Sequence, residues 1–132
     1  MSGDKKRDLK KEAADWGRLA ERLACEHIVK EGFPITETNW RVGNHVEIDI
    51  ISIQGEEIAF VEVKARNGKY ESAEDAIDLK KMKQMVRGAD IYLQNQDHDF
   101  TARFDVALVE GDPNDYDFTY LRDAFIPPLN AR

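Results

Sequence analysis

Apolar residues recur every three or four positions in two long stretches of the chain. The first stretch runs from about residue 8 to residue 31, and Gly32 follows it as a stop signal. The second runs from about residue 72 to residue 95, where Ser72 and Asp75 have the spacing of a capping box. Because this period is that of an amphipathic helix, the pattern predicts two long helices.

Between the two predicted helices the period changes to two. Apolar and acidic residues alternate over residues 46–50, which is typical of a strand with one buried face. After a turn at Gly55, the apolar run over residues 58–61 is continuous, which indicates burial on both faces. We therefore predict an antiparallel hairpin whose second strand, ending near Lys64, lies in the centre of a sheet.

Three shorter segments complete the predicted sheet. Residues 33–35 suggest a short strand followed by a loop, residues 104–110 a further strand, and residues 116–121 a candidate last strand. The resulting order is helix, strands, helix, strands, which predicts the α/β fold class.

The composition fits one globular domain. Hydrophobic residues make up 42% of the 132 residues, and no apolar run approaches the roughly 20 residues needed to cross a membrane. We expect a single domain over residues 1–132, located in the cytoplasm, with about the first seven residues and the acidic residues 111–117 flexible. The net charge of −7 argues against a strongly basic nucleic-acid surface, and the single cysteine excludes an internal disulfide.

Two acidic residues and a lysine fall at the end of the predicted hairpin. The period of a strand places Glu62 and Lys64 on one face, and Asp49 lies on the partner strand, where a suitable register would bring it next to Glu62. Two converging carboxylates repel each other unless a cation joins them, and Mg²⁺ prefers carboxylate oxygens together with water and phosphate oxygens. The pattern is typical of a site where a metal ion activates water, although a charged strand end has the same spacing.

Glu21 is a further candidate on the first predicted helix. It shares a helical stripe with Gly17, Ala24 and Ile28, which are small or apolar. This position favours an inward-facing acid, and a partly exposed helix glutamate is the equal alternative.

Six segments together resemble a known bacterial family. They are GRLAERLA at 17–24, NWR at 39–41, EIDII at 47–51, FVEVKAR at 60–66, AIDLKK at 76–81 and RFDV at 103–106. In this order they resemble the YraN family, also called UPF0102, of predicted endonuclease-like proteins. That family is similar to the PD-(D/E)XK restriction-endonuclease-like fold and, within it, to archaeal Holliday-junction resolvases.

The resemblance implies a fold and a set of roles. The fold would be a mixed central β-sheet flanked by α-helices, with Asp49 and Glu62 as ligands of Mg²⁺ or Mn²⁺. Lys64 would be the catalytic lysine, and Glu21 an auxiliary acid that binds a second metal ion or orients water. Glu47 would be a further acid or a structural partner.

The resemblance also indicates a substrate. Arg41, Arg66 and Lys81 fall at basic positions typical of the family, so we expect them to contact phosphate, with a solvated face or a salt bridge as the equal alternative for each. The expected function is metal-dependent hydrolysis of DNA, including branched or damaged DNA, and nothing in the sequence separates DNA from RNA. The alternative is a non-catalytic nucleic-acid-binding or protein-interaction module that keeps the fold. The oligomeric state stays open, and a homodimer would suit a symmetric substrate.

Overall fold

The sheet has five strands that lie side by side in the order in which they follow one another along the chain. The computed structural model describes residues 3–44, 46–68 and 77–127, with side chains from residue 6 onward. The elements in chain order are helix α1 (Gly3–Lys30), strands β1 (Glu37–Val42), β2 (Val46–Gln54) and β3 (Glu57–Arg66), helix α2 (Leu79–Gln94), and strands β4 (Thr101–Asp112) and β5 (Asp115–Leu121).

Only β3 and β4 are parallel among these strands, and the other neighbouring pairs are antiparallel. A parallel pair needs a crossover connection, and α2 lies between β3 and β4 in the chain. Within the described residues, a mixed five-stranded sheet with two helices confirms the predicted α/β class. The arrangement is consistent with a restriction-endonuclease-like fold.

Strand β3 is buried on both faces, as its continuous apolar run predicts. Ala59 and Val61 belong to a core cluster that includes side chains of α1. Ile58 and Phe60 belong to a second cluster, on the other face, that includes side chains of α2. The two helices therefore cover opposite faces of the sheet, and β3 lies between them.

Helix α1 presents to the sheet a stripe in which two alanines lie between a tryptophan and an isoleucine. Trp16, Ala20, Ala24 and Ile28, each four residues apart, are at most 6% exposed. The helix predicted from about residue 8 is confirmed, and it begins earlier, at Gly3. Among the described residues, neither helix combines the length and the apolar composition needed to cross a membrane.

Helix α2 begins later than the apolar spacing predicts. Asp78 is its N-cap, with φ −93° and ψ 170°, and the Asp78 carboxylate accepts a hydrogen bond of 2.8 Å from the backbone N of Lys81. A predicted start near residue 72 is therefore wrong for this helix, and the capping-box pair Ser72 and Asp75 lies outside the described residues. The start is decided by the acceptor that satisfies the free N–H groups of the first turn.

The first strand also differs from the prediction. Residues 33–35 are not part of the sheet; Phe33 and Ile35 pack against the cluster on the α1 side, and the carbonyl of Pro34 accepts a hydrogen bond of 2.6 Å from the Ser52 hydroxyl. The strand β1 forms in the segment predicted as a loop. Because this edge strand is mostly exposed, its residues carry little apolar alternation by which it could be recognised.

Residues 111–117 form the tip of a hairpin between β4 and β5, whose strands extend further than the apolar runs at 104–110 and 116–121 predict. The ladder pairs Gly111 with Tyr116 and Asp112 with Asp115. The Asp112 Oδ1 atom accepts hydrogen bonds from the backbone N atoms of Asn114 (2.8 Å) and Asp115 (3.1 Å), so an acidic side chain closes the turn. Exposed acidic residues in an edge hairpin have no buried face to produce an alternating pattern.

Gly88 lies where α2 packs closely on β2, and the close packing depends on the absence of a side chain there. We therefore expect a larger residue at this position to destabilise the protein. A Cβ atom there would lie 2.9 Å from Cγ1 of Val46 and 3.0 Å from Cδ1 of Ile48. We expect Gly88→Val to lower the free energy of unfolding by about 1–3 kcal/mol through overpacking, as measured by urea denaturation.

The matched control is Gly17→Val in α1. A Cβ atom at Gly17 would have no neighbouring atom within 4 Å, and valine exceeds glycine in helix propensity by a few tenths of a kcal/mol. This variant should keep or slightly raise the stability of the protein. Equal losses in both variants would contradict the close packing of α2 on β2.

Candidate metal centre

Strand β2 changes faces around Asp49. Ile48 packs with the cluster on the α2 side and Ile50 with the cluster on the α1 side, although regular alternation would place both on one face. On the neighbouring strand β1, Asn39 lies between the residues that pair with Ile50 and Ile48, and has a φ of 51°, in the left-handed region that asparagine tolerates better than most residues. At Asp49 the strand therefore departs from the regular alternation of side chains between the two faces of the sheet.

The Asp49 carboxylate joins β2 to β3 next to Glu62. Regular pairing of the two strands ends at Ile50 and Val61. Just beyond this pair, Oδ2 of Asp49 accepts a hydrogen bond of 2.7 Å from the backbone N of Val63. Because Glu62 directly precedes Val63, the structure brings together the two acids that the sequence proposes as metal ligands.

Glu62 is buried, and the pKa of its carboxyl is raised from 4.5 to about 7. Burial is the largest cause, the negative charge of Asp49 is the second, and the positive charges of Lys81 and Lys64 act in the opposite direction. The Nζ atom of Lys81 lies 3.1 Å from Oε2 of Glu62, at ion-pair distance. This contact also lowers the pKa of Glu62, although it does not meet strict hydrogen-bond geometry.

Asp49 has a raised pKa for the same main reason, burial. The hydrogen bond from Val63 and the charge of Lys81 lower the pKa of Asp49, whereas the charges of Glu47 and Glu21 raise it. Both carboxylates therefore lie where their charged forms are disfavoured, and additional positive charge would stabilise them.

Glu21 approaches the acid pair from α1 while it remains partly exposed. Its Oε1 atom accepts a hydrogen bond of 2.7 Å from Nδ2 of Asn39, and its charge contributes to the raised pKa of Asp49. Sequence reasoning did not assign a role to Asn39, although the residue lies in one of the segments that carry the family resemblance. The residue was missed because its contact joins α1 to β1, two elements that are distant in the chain.

Lys64 follows Glu62 on the same face of β3, and it is partly buried. Lys81 and Arg41, which are predicted to contact phosphate, are in ion pairs: Lys81 with Glu62 at 3.1 Å, and Arg41 with Glu47, where Nη2 and Oε2 are 3.2 Å apart. Arg66 ends β3 and is partly buried. Contact with phosphate stays a prediction for all three.

The donor set suits a hard divalent cation. Within the described residues, no group of three or more His, Cys, Asp or Glu side chains is arranged to enclose a metal ion. Mg²⁺ does not require such a cage, because it retains several waters and commonly uses only one or two carboxylates. Glu62 provides a buried carboxylate and Asp49 a partly buried one, and the Glu62 Oε2 atom is contacted by the ammonium of Lys81.

A second buried acid, Asp105, differs from Glu62 because its hydrogen bonds are complete. The Nε atom of Arg103 lies 3.1 Å from both Asp105 carboxylate oxygens, the Tyr120 hydroxyl donates at 2.6 Å, and the backbone N of Asp123 donates at 2.8 Å. Asp105 is fully buried and joins β4, β5 and the residues after β5. This network has a structural role, and sequence reasoning missed it because its members are distant in the chain.

Comparison with known families finds a match between residues 20–109 and the model of the "Uncharacterised protein family UPF0102". The chain belongs to this family. Three UPF0102 proteins show the extent of the similarity. One from Bacteroides thetaiotaomicron is 37% identical over 114 residues, which cover 86% of this chain and 93% of the relative.

The other two UPF0102 proteins come from two other bacteria. One from Chlorobium chlorochromatii is 36% identical over 116 residues, covering 83% of this chain and 89% of the relative. One from Thermotoga petrophila is 41% identical over 95 residues, covering 72% of this chain and 85% of the relative. These matches confirm the family that the sequence motifs indicate, and the UPF0102 match includes all four candidate catalytic residues, which are Glu21, Asp49, Glu62 and Lys64.

Replacing Glu62 with glutamine should stabilise the metal-free protein above neutral pH. Because the folded-state pKa of about 7 exceeds the ordinary value of 4.5, the folded protein binds more protons than the unfolded chain between these pH values. The wild-type stability should therefore fall as the pH rises through this window. Glu62→Gln should reduce that fall and raise the free energy of unfolding at about pH 8 by a few kcal/mol, and Asp49, whose pKa is also raised, accounts for the fall that remains.

The measurement is urea denaturation in EDTA across this pH range. Glu56→Gln is the matched control, because Glu56 is an exposed glutamate in the turn between β2 and β3. It should keep the wild-type pH profile. A fall of the wild-type size in Glu62→Gln would show that another group causes the pH dependence.

Proposed function

We propose that this UPF0102 protein is a metal-dependent nuclease that hydrolyses phosphodiester bonds in DNA. The observation that carries the proposal is the pair of buried Glu62 and partly buried Asp49, which lie side by side with raised pKa values and share the nearby ammonium of Lys81, 3.1 Å from Glu62 Oε2. A structural ion pair would be expected to satisfy its buried oxygens, as Asp105 does. Perturbed acids beside lysines are typical of a catalytic centre.

Each of the four candidate catalytic residues has a distinct role in this proposal. Asp49 and Glu62 would hold Mg²⁺ or Mn²⁺, and the bound ion supplies a water of lowered pKa and polarises a phosphoryl oxygen. Lys64, on the Glu62 face of β3, stabilises the negative charge that develops on the phosphate. Glu21, held by Asn39, orients water beside the acid pair.

The charge distribution favours a substrate held by few phosphate contacts. The net charge is −7, and the hairpin tip carries the exposed acids Asp112, Asp115 and Asp117. Tight binding by broad neutralisation of phosphates is therefore disfavoured. Branched or damaged DNA suits such a protein because its shape, rather than a long row of phosphates, would select it. RNA of similar shape is the other substrate to test.

A second candidate function is a non-catalytic nucleic-acid-binding or protein-interaction module. The overall acidity favours it, as does the lack of a third metal-ligating side chain at the acid pair among the described residues. In that case Lys81 would be the lasting partner of Glu62, and the acids would serve the structure. The two candidates differ in whether activity requires a metal ion.

Cleavage of labelled nucleic acids separates these functions. The substrates are duplex DNA, single-stranded DNA, a four-way DNA junction and the matching RNAs, each with Mg²⁺, Mn²⁺ or EDTA. We expect metal-dependent cleavage that falls by at least about 10²-fold in Glu62→Gln and remains in Glu56→Gln. Binding without cleavage, together with no metal uptake in calorimetry, would support the non-catalytic module.

Lys64→Met should separate catalysis from metal binding. The substitution removes the charge that stabilises the developing negative charge but leaves both carboxylates in place. We therefore expect the cleavage rate constant to fall by about 10²–10³-fold, while calorimetry still shows uptake of Mn²⁺. Lys80→Met, at an exposed position of α2, removes the same charge and should retain wild-type cleavage. Loss of metal uptake in Lys64→Met would contradict this division of roles.

A further inference from the structure

Lys81 places a positive charge against the buried acid pair from the side of α2. Its Nζ atom is 3.1 Å from Oε2 of Glu62, and the side chains of Lys81 and Glu62 are 27% and 7% exposed. The charge of Lys81 also acts on Asp49, where it lowers the pKa of the carboxyl. Lys81 is therefore a counter-ion of the site that the fold itself provides.

The backbone of Lys81 is fixed, whereas its ammonium group is attached to a long, adaptable side chain. Lys81 lies in the first turn of α2, and its backbone N donates to the Asp78 carboxylate at 2.8 Å. Lysine carries a compact charge on a four-carbon stem with several rotatable bonds. The ammonium can leave Glu62 by rotation of the side chain alone, without a movement of the helix.

Lys81 and a divalent cation would compete for the same carboxylate. One ammonium supplies a single positive charge and contacts Glu62, whereas Mg²⁺ or Mn²⁺ supplies two charges and binds both Asp49 and Glu62 in the proposed function. The two positive ions would repel each other at this short distance in a partly buried site. Binding of the metal ion at Oε2 of Glu62 therefore requires the contact between Lys81 and this oxygen to break.

We infer that Lys81 is a built-in counter-ion that occupies Glu62 until a divalent cation displaces it, and that this competition lowers the metal affinity of the site. The inference rests on the proposed metal-dependent function. Two other roles for Lys81 predict different results. A lysine that only contacts substrate phosphate would leave metal affinity unchanged without nucleic acid, and one that orients Glu62 for the metal ion would be needed for tight binding.

Calorimetric titration of Mn²⁺ into the full chain, without nucleic acid, tests the competition directly. Lys81→Met retains most of the stem and removes the ammonium. We expect its Kd for Mn²⁺ to be about tenfold lower than that of the wild type, which corresponds to about 1.4 kcal/mol. Lys80→Met is the matched control, since it makes the same charge change at an exposed neighbouring position and should shift the Kd much less.

A double variant assigns the effect to the acid pair. In a Glu62→Gln background, Lys81→Met should tighten Mn²⁺ binding much less than in the wild type, because the contact with Glu62 is already removed and only the effect of the Lys81 charge on Asp49 remains. A thermal melt of each variant with and without Mn²⁺ provides an independent readout, since tighter binding gives a larger rise in the midpoint. It also shows whether each variant is folded.

The outcomes separate the inference from the proposed function. Tighter binding in Lys81→Met, or binding in this variant when the wild type shows none, supports the counter-ion role. Equal or weaker binding in Lys81→Met, with clear uptake by the wild type, overturns the counter-ion role and leaves the metal-dependent function standing. No uptake by either protein overturns both.

Discussion

The burial of β3 between two helices is the constraint on which the rest of the structure depends. A strand covered on both faces has no solvent-facing side, so each polar residue near its end needs a partner within the fold. The small residues Ala20 and Ala24 bring α1 close to one face, and Gly88 brings α2 close to β2 on the other. The packing of both helices on the sheet leaves Glu62 buried beside Asp49. The same packing that forms the core thus produces the electrostatic conditions of the candidate site.

The protein stabilises its two buried acids, Asp105 and Glu62, in two different ways. Asp105 receives an arginine, a tyrosine hydroxyl and a backbone N–H, so its charge is fully compensated by fixed groups. Glu62 instead has a lysine ammonium at ion-pair distance, a second acid nearby and a pKa of about 7. Fixed, complete compensation suits a residue that joins strands. Partial compensation by an adaptable side chain suits a site that exchanges its counter-ion, because little structure must be broken to admit another cation.

The overall negative charge affects the approach of a nucleic acid, whereas the local charge of the site affects the groups bound there. Net charge governs long-range attraction to a nucleic acid, which is weak for a protein of charge −7. The local field depends on Lys64, placed by the strand period, and on Lys81, placed by the first turn of α2. An acidic protein can therefore maintain positive charge where a phosphate would react, provided that the shape of the substrate or a partner contributes to binding.

The sequence by itself determined the two helices, the doubly buried strand β3 and the position of Glu62 and Lys64 on one face, because these features follow from the local period of the backbone. It did not determine β1 or the hairpin tip, since exposed edge strands carry little alternation, nor the start of α2, which depends on the cap at Asp78. Only the tertiary structure decided that Lys81 meets Glu62 and that Asn39 holds the helix glutamate. These contacts join separate elements, and the distance between such elements is fixed by the packing of the core and not by spacing along the chain.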